Sequence, residues 1–117
     1  MCSSDLVNNL LPRQLPLTIT QLECHPHAAQ CFVPLDVSRY LVTVAPSLAD
    51  GTPDLSGMMS LILPGTVGVI YAPSVWHAGA TVLDQPGGFA VLMWRGADDD
   101  DVFTDIAPVE LTFEGPG

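Results

Sequence analysis

Proline and glycine interrupt this sequence from end to end: eleven Pro and ten Gly fall among 117 residues, and the apolar runs between them are short. Pro lacks an amide proton and fixes φ, so it breaks a helix interior, while Gly and Pro together favour tight turns. No stretch of ten or more residues keeps a helical apolar period. What remains open to such a chain is a set of short strands joined by turns, the pattern of a sandwich or barrel. Strands are expected at Leu17–Leu22, which alternates apolar and polar residues, at Gln30–Pro34 and at Arg39–Ala45. Further ones are expected at Met58–Leu63, Val67–Tyr71, Ala80–Leu83 and Phe89–Trp94. Ser47–Gly57 carries Asp50, Gly51, Pro53 and Gly57 and reads as a loop with one irregular turn. The expected fold class is all-β and antiparallel.

Apolar residues make up 48% of the chain and charged ones 14%, a balance that suits a packed fold. A chain of this length holds one modest core, so one domain is expected. No apolar run is long enough to span a bilayer, and none has the layout of a signal peptide, so the expected compartment is the cytoplasm. Three basic residues, Arg13, Arg39 and Arg95, face thirteen acidic ones, for a net charge of −10. That field repels phosphate backbones and excludes nucleic acid as a partner; an anionic small molecule would need local donors or a metal ion to bind. The three cysteines, Cys2, Cys24 and Cys31, are an odd number and fit a reduced interior better than a disulfide framework. Asp98–Asp101 lacks the alternating oxygens and glycine turn of a calcium loop, and reads as a solvated turn.

Met1–Leu6 reads MCSSDL. Its codons from Cys2 onward can be written TGC TCT TCC GAT CT, the end of a common sequencing adapter. Residues 1–6 are therefore expected to be adapter-derived or a disordered terminus without a structural role, leaving residues 7–117 as the folded domain.

Reactive side chains are densest in Glu23-Cys24-His25-Pro26-His27-Ala28-Ala29-Gln30-Cys31. A hairpin turning at Pro26–Ala29 would set His25 opposite Gln30 and Glu23 opposite Phe32. Period-two alternation then puts those four residues on one face and the two cysteines together on the other. The third histidine, His77, ends Tyr71-Ala72-Pro73-Ser74-Val75-Trp76-His77, a strand entering and leaving a tight turn.

His25-x-His27 with Gln30, followed much later by His77, resembles the paired motifs of cupin barrels. Six segments resemble more closely the ureidoglycolate lyase family within the cupins: Leu15-Pro16-Leu17-Thr18-Ile19, Glu23-x-His25-Pro26, Gln30-x-Phe32-x-Pro34-Leu35, Pro53-Asp54-Leu55-Ser56, Gly68-x-x-Tyr71 and Trp76-His77. They occur in the family's order and spacing, from Pro12 to about Phe113. Cys24 stands where the family usually has Arg, Ala78-Gly79 where His-Pro is common, and Asn9 where an upstream Arg is usual. Several anion-binding groups of the family are thus absent. The family also has further N-terminal strands, so the resemblance implies an RmlC-like cupin jelly roll or barrel that is truncated at its N-terminus.

The resemblance implies cleavage of ureidoglycolate to glyoxylate and urea, a late step in the use of allantoin as a nitrogen source. That reaction needs a base for the substrate hydroxyl, an acid for the departing nitrogen and donors for the carboxylate. His77 is the expected base, and His25 with Glu23 the expected acid and its orienting partner. Gln30, Tyr71, Trp76 and Arg39 are the expected substrate-binding residues. No metal site is assigned; a divalent cation such as Ni²⁺, Mn²⁺ or Zn²⁺ on His25, His27, Gln30 and His77 is left open. A homodimer formed through barrel edges is expected. Two rival readings are a metal-dependent cupin enzyme of another class and a non-catalytic cupin that binds small organic acids.

Overall fold

The structure, a computed structural model, describes residues 2–113; Met1 and residues 114–117 lie outside it. Ten strands follow one another among these residues, interrupted by a single 3-10 turn at Leu55–Gly57. They are β1 Cys2–Leu10, β2 Leu17–Cys24, β3 Gln30–Pro34, β4 Arg39–Ala45, β5 Met59–Pro64, β6 Val69–Tyr71, β7 Trp76–His77, β8 Thr81–Leu83, β9 Gly87–Trp94 and β10 Val102–Leu111. All pairings between them are antiparallel. One sheet has the order β1-β9-β3-β6 and the other β10-β2-β7-β4-β5, with β8 added beside β4. The expected antiparallel jelly roll is present, with its sheets open at their edges and not closed into a barrel.

The main core draws on both sheets. Phe32, Tyr71, Phe89 and Val91 from one meet Tyr40, Val42 and Val82 from the other. Phe89 makes edge-to-face contacts with Tyr40 and Phe32, with ring centres 5.1 Å and 5.7 Å apart, a favoured aromatic geometry. A second apolar cluster, Ile19, Leu22, Cys24, Ala45 and Trp76, belongs to the second sheet alone and packs on its other face. Along β2 the buried positions shift from Leu17 and Ile19 to Leu22 and Cys24. The register with β10 slips beside this change of phase, between Asp105 and Val109, where Pro108 has no amide to give the ladder.

Three sequence expectations are corrected. Glu23–His25 and Gln30–Phe32 do not form a hairpin, because β2 and β3 belong to different sheets and the chain crosses the sandwich between them. Cys24 and Cys31 are consequently apart: Cys24 is buried in the second cluster, whereas Cys31 is half-buried on β3 between Ile70 and Leu92. Residues 2–6 are no loose terminus, since they run along β9 from Trp94 to Ala90. Backbone pairing is blind to side-chain identity, so an edge position accepts this polar segment whatever its genetic origin. Strands β1, β7 and β10 have no counterpart among the expected strands.

Candidate active site

The ends of β2, β4 and β7 lie side by side and carry the site. His77 is the register partner of both Glu23 and Val44, in the middle of the second sheet. Alternation along the two-residue β7 turns His77 and Trp76 to opposite faces. The His77 ring stacks on Tyr71 with centres 4.0 Å apart and planes 3° from parallel. Its Nδ1–H donates to the Val75 carbonyl at 3.2 Å, which leaves Nε2 as the lone-pair nitrogen of the neutral ring. Nε2 is buried without a hydrogen-bond partner, although Glu23 Oε1 lies 3.4 Å away. Two acceptors that face each other at that distance favour a proton or a cation between them.

His25 stands beside His77, with ring centres 5.2 Å apart. Its Nδ1 is 2.9 Å from the Asp100 carbonyl and 3.2 Å from Asp101 Oδ1, so it donates there. Nε2 lies 3.0 Å from Gln30 Oε1. The Gln30 amide offers Nε2 an acceptor oxygen or, turned over, a donor N–H, so the contact serves either a donating or an accepting nitrogen. Asp100 is itself buried, and its carboxylate accepts the backbone N–H of His27 at 2.7 Å. Asp98 and Asp99 thus form the exposed turn expected of the acidic run, while Asp100 is buried. Asp99 meets the exposed His27 at 3.1 Å, and Asp101 also accepts from Arg95 Nη1 at 2.8 Å.

The electrostatics follow from these contacts. The Arg95 guanidinium, with His25 behind it, holds the Asp101 carboxyl below the usual carboxylate range. Burial pushes the Tyr71 phenol well above its ordinary value, with smaller contributions from the charges of Tyr40 and Glu23, so Tyr71 stays neutral. Burial likewise raises the Cys24 thiol, helped by the charge of Asp100.

A cavity of about 420 Å³ opens between the sheets, and Glu23, Gln30, Phe32, Met93, Arg95 and Asp5 are among the residues that line it. His77 and His25 are buried at its edge and touch it through Glu23 and Gln30. A larger cavity, about 610 Å³, lies at the far end of β4 and shares no residue with this one. Volume is no guide here, because that second cavity has Arg13, Arg39 and Asp84 but no base or acid of the constellation.

Glu23, His25, His77, Gln30 and Tyr71 are thus brought together. Two of the expected binding residues are not. Arg39 begins β4 at the opposite end and is held bidentately by Asp84, at 2.7 Å and 2.8 Å. Trp76 faces away into the second cluster and donates its Nε1–H to the Gly51 carbonyl. His27 points to Asp99 and stands apart from the cation-binding group, in which Glu23, His25 and His77 each offer a ligand atom within 4.8 Å of the others. Sequence reasoning missed Asp100, Asp101 and Arg95. The only signal was four consecutive acids, which says nothing about the histidine they would meet.

The family profile described as Ureidoglycolate lyase matches residues 4–112. The chain is 37% identical over 112 residues to "Ureidoglycolate lyase" of Escherichia coli (strain K12), covering 96% of this chain and 68% of that protein. It is equally identical over 107 residues to the protein of that name from Shigella boydii serotype 18, covering 92% of this chain and 65% of the relative. Among solved structures, RmlC from Streptococcus suis, described in complex with dTDP-D-xylose, superposes with a TM-score of 0.55 at 10% identity, over 85% of this chain and 45% of RmlC. That likeness is one of cupin fold. With a profile match over nearly the whole length and relatives above a third identical, this chain belongs to the ureidoglycolate lyase family.

Proposed function

We propose that the chain cleaves ureidoglycolate to glyoxylate and urea, with the Glu23–His77 pair as proton acceptor and His25 as proton donor. The observation that carries this reading is the buried lone pair of His77 Nε2, set 3.4 Å behind the one carboxylate that reaches both it and the cavity. The substrate carbon bears a hydroxyl and a ureido nitrogen. Removal of the hydroxyl proton by Glu23, backed by His77, forms the aldehyde carbonyl as the C–N bond breaks. The electron pair leaves on nitrogen, which takes a proton relayed from the His25 imidazolium and departs as urea. Gln30 links His25 to the cavity wall, and Phe32 and Met93 limit water there.

The donor set also fits a divalent cation. Glu23, His25 and His77 would hold it, His77 through the orphaned Nε2 with its Nδ1–H anchored on a backbone carbonyl, as metal-bound histidines usually are. A bound cation would supply Lewis acidity and offset part of the negative field. A homodimer is supported by exposed apolar side chains on the first sheet, Leu6, Ile70 and Trp94, and is checked by sedimentation velocity. A cytoplasmic setting fits the unpaired Cys24 and Cys31.

The test is glyoxylate release from racemic ureidoglycolate, with and without Ni²⁺ or Mn²⁺, beside a His77→Ala variant. His77→Ala is expected to lower turnover by roughly 10²- to 10⁴-fold. No release from the folded, unaltered chain would leave a jelly roll that only binds small acids.

A further inference from the structure

An imidazole can hold a proton on either nitrogen, so a histidine that delivers one in a set direction needs its other nitrogen committed elsewhere. His25 follows β2 directly and lies outside any strand. Its Nδ1 is 2.9 Å from the Asp100 carbonyl, and a carbonyl oxygen only accepts, so Nδ1 keeps its proton. Nε2 is then the nitrogen open to exchange, and it meets Gln30 in the cavity wall at 3.0 Å.

No strand places that carbonyl. Residues 95–101 join β9 to β10 outside both ladders, and in the acidic run Asp98, Asp99 and Asp101 are exposed while Asp100 is only 3% exposed. Burying a carboxylate is costly unless a donor meets it, and here the donor is the His27 backbone N–H at 2.7 Å. Asp100 therefore grips the His25–His27 segment twice, by its carbonyl on the His25 ring and by its carboxylate on the His27 backbone. Asp101 Oδ1 also lies 3.2 Å from His25 Nδ1, but that side chain is half exposed and shared with Arg95. Asp100 is not among the residues that line the cavity.

We propose that Asp100 is a positioning residue: its buried carboxylate, clasped on the His27 N–H, sets the backbone carbonyl that holds the Nδ1–H of His25 and leaves Nε2 as the nitrogen that exchanges a proton with the cavity. The inference rests on the lyase reading for the role of His25 as acid. The clasp itself is a property of the folded chain, so the two can fail separately.

NMR of the full chain with ¹⁵N-labelled histidine, read beside steady-state kinetics on ureidoglycolate, tests it. The unaltered chain is expected to show a His25 Nδ1–H signal protected from exchange with water. Asp100→Ala is expected to lose that signal and to lower kcat by roughly tenfold or more, with KM within about twofold, because the acid is misplaced while the cavity wall is kept. Asp100→Asn keeps an acceptor for the His27 N–H and is expected to restore the signal and most of kcat. Should Asp100→Ala not fold, Asp100→Ser, whose hydroxyl falls short of the His27 N–H, carries the same expectation. A protected Nδ1–H in Asp100→Ala, or one lost in Asp101→Ala instead, overturns the clasp. A signal lost in Asp100→Ala and restored in Asp100→Asn, in a chain without turnover, supports the clasp and removes the lyase reading. His77-dependent turnover with the same kcat in Asp100→Ala keeps the lyase reading and removes the positioning role.

Discussion

His77 is held from three sides: the Val75 carbonyl fixes its tautomer, the Tyr71 ring lies flat against it, and Glu23 faces its free nitrogen. Tyr71→Phe keeps the flat surface and is expected to change kcat little, whereas Tyr71→Ala lets the imidazole tilt and should lower kcat by about tenfold or more, since small misplacements of reacting groups are costly. Steady-state kinetics on the two variants, with glyoxylate followed, separates stacking from any role of the phenol. Asp101 gives a second prediction. Arg95, and to a lesser degree His25, lower its pKa in the folded chain, so its contribution to stability is present above its unfolded value near 4 and is lost as pH falls through the lowered one. Urea unfolding midpoints measured from about pH 2 to pH 6 should therefore fall more steeply in the unaltered chain than in Asp101→Asn.

At the scale of elements, the connection from β5 to β6 depends on a close approach. A Cβ on Gly65 would lie 1.6 Å from the Val37 carbonyl oxygen, which the Gly65 N–H neighbours by bonding to Ser38. Backbone cannot rotate away as a side chain can, so Gly65→Ala is expected to cost about 1–3 kcal/mol or more. Gly79, between β7 and β8, has nothing within 4 Å of such a Cβ, and Gly79→Ala should stay within about 0.5 kcal/mol of the unaltered chain. Denaturant melts of both check the contrast. Elements also differ in how far they could be read beforehand. β3 and β4 have the bounds expected from Val-, Phe- and Tyr-rich runs closed by Pro34, Asp36 and Pro46. β10 escaped because it is largely exposed, interrupted by Pro108 and held by backbone pairing with β2, which leaves little alternation to see. β7 is two residues long, below any periodicity.

For the whole molecule, one core between two sheets carries most of the stability. Phe89 is among its most buried side chains and touches rings from both sheets, so Phe89→Ala is expected to cost about 3–5 kcal/mol, a large part of a small domain's total. Tyr40, Tyr71 and Cys24 all have folded-state values raised chiefly by burial. Groups raised in this way favour the fold below their unfolded values and lose that advantage as pH rises. Thermal melts should accordingly drop in midpoint above about pH 9, where the unfolded thiol and then the phenols begin to ionise. The amino-acid sequence by itself determined that the chain is built of short strands, that it repels polyanions, and that Glu23, His25, Gln30 and His77 are candidates for a site, because periodicity, punctuation and side-chain chemistry are local properties. Which of these residues meet was decided by tertiary structure. His25 finds the Asp100 carbonyl 75 positions away, and Arg95 reaches the cavity only because β9 runs beside β3. Trp76 and Arg39 are drawn off to the outer face and the far end because strand alternation and sheet order, which no local pattern encodes, fix the face and the end that each strand presents.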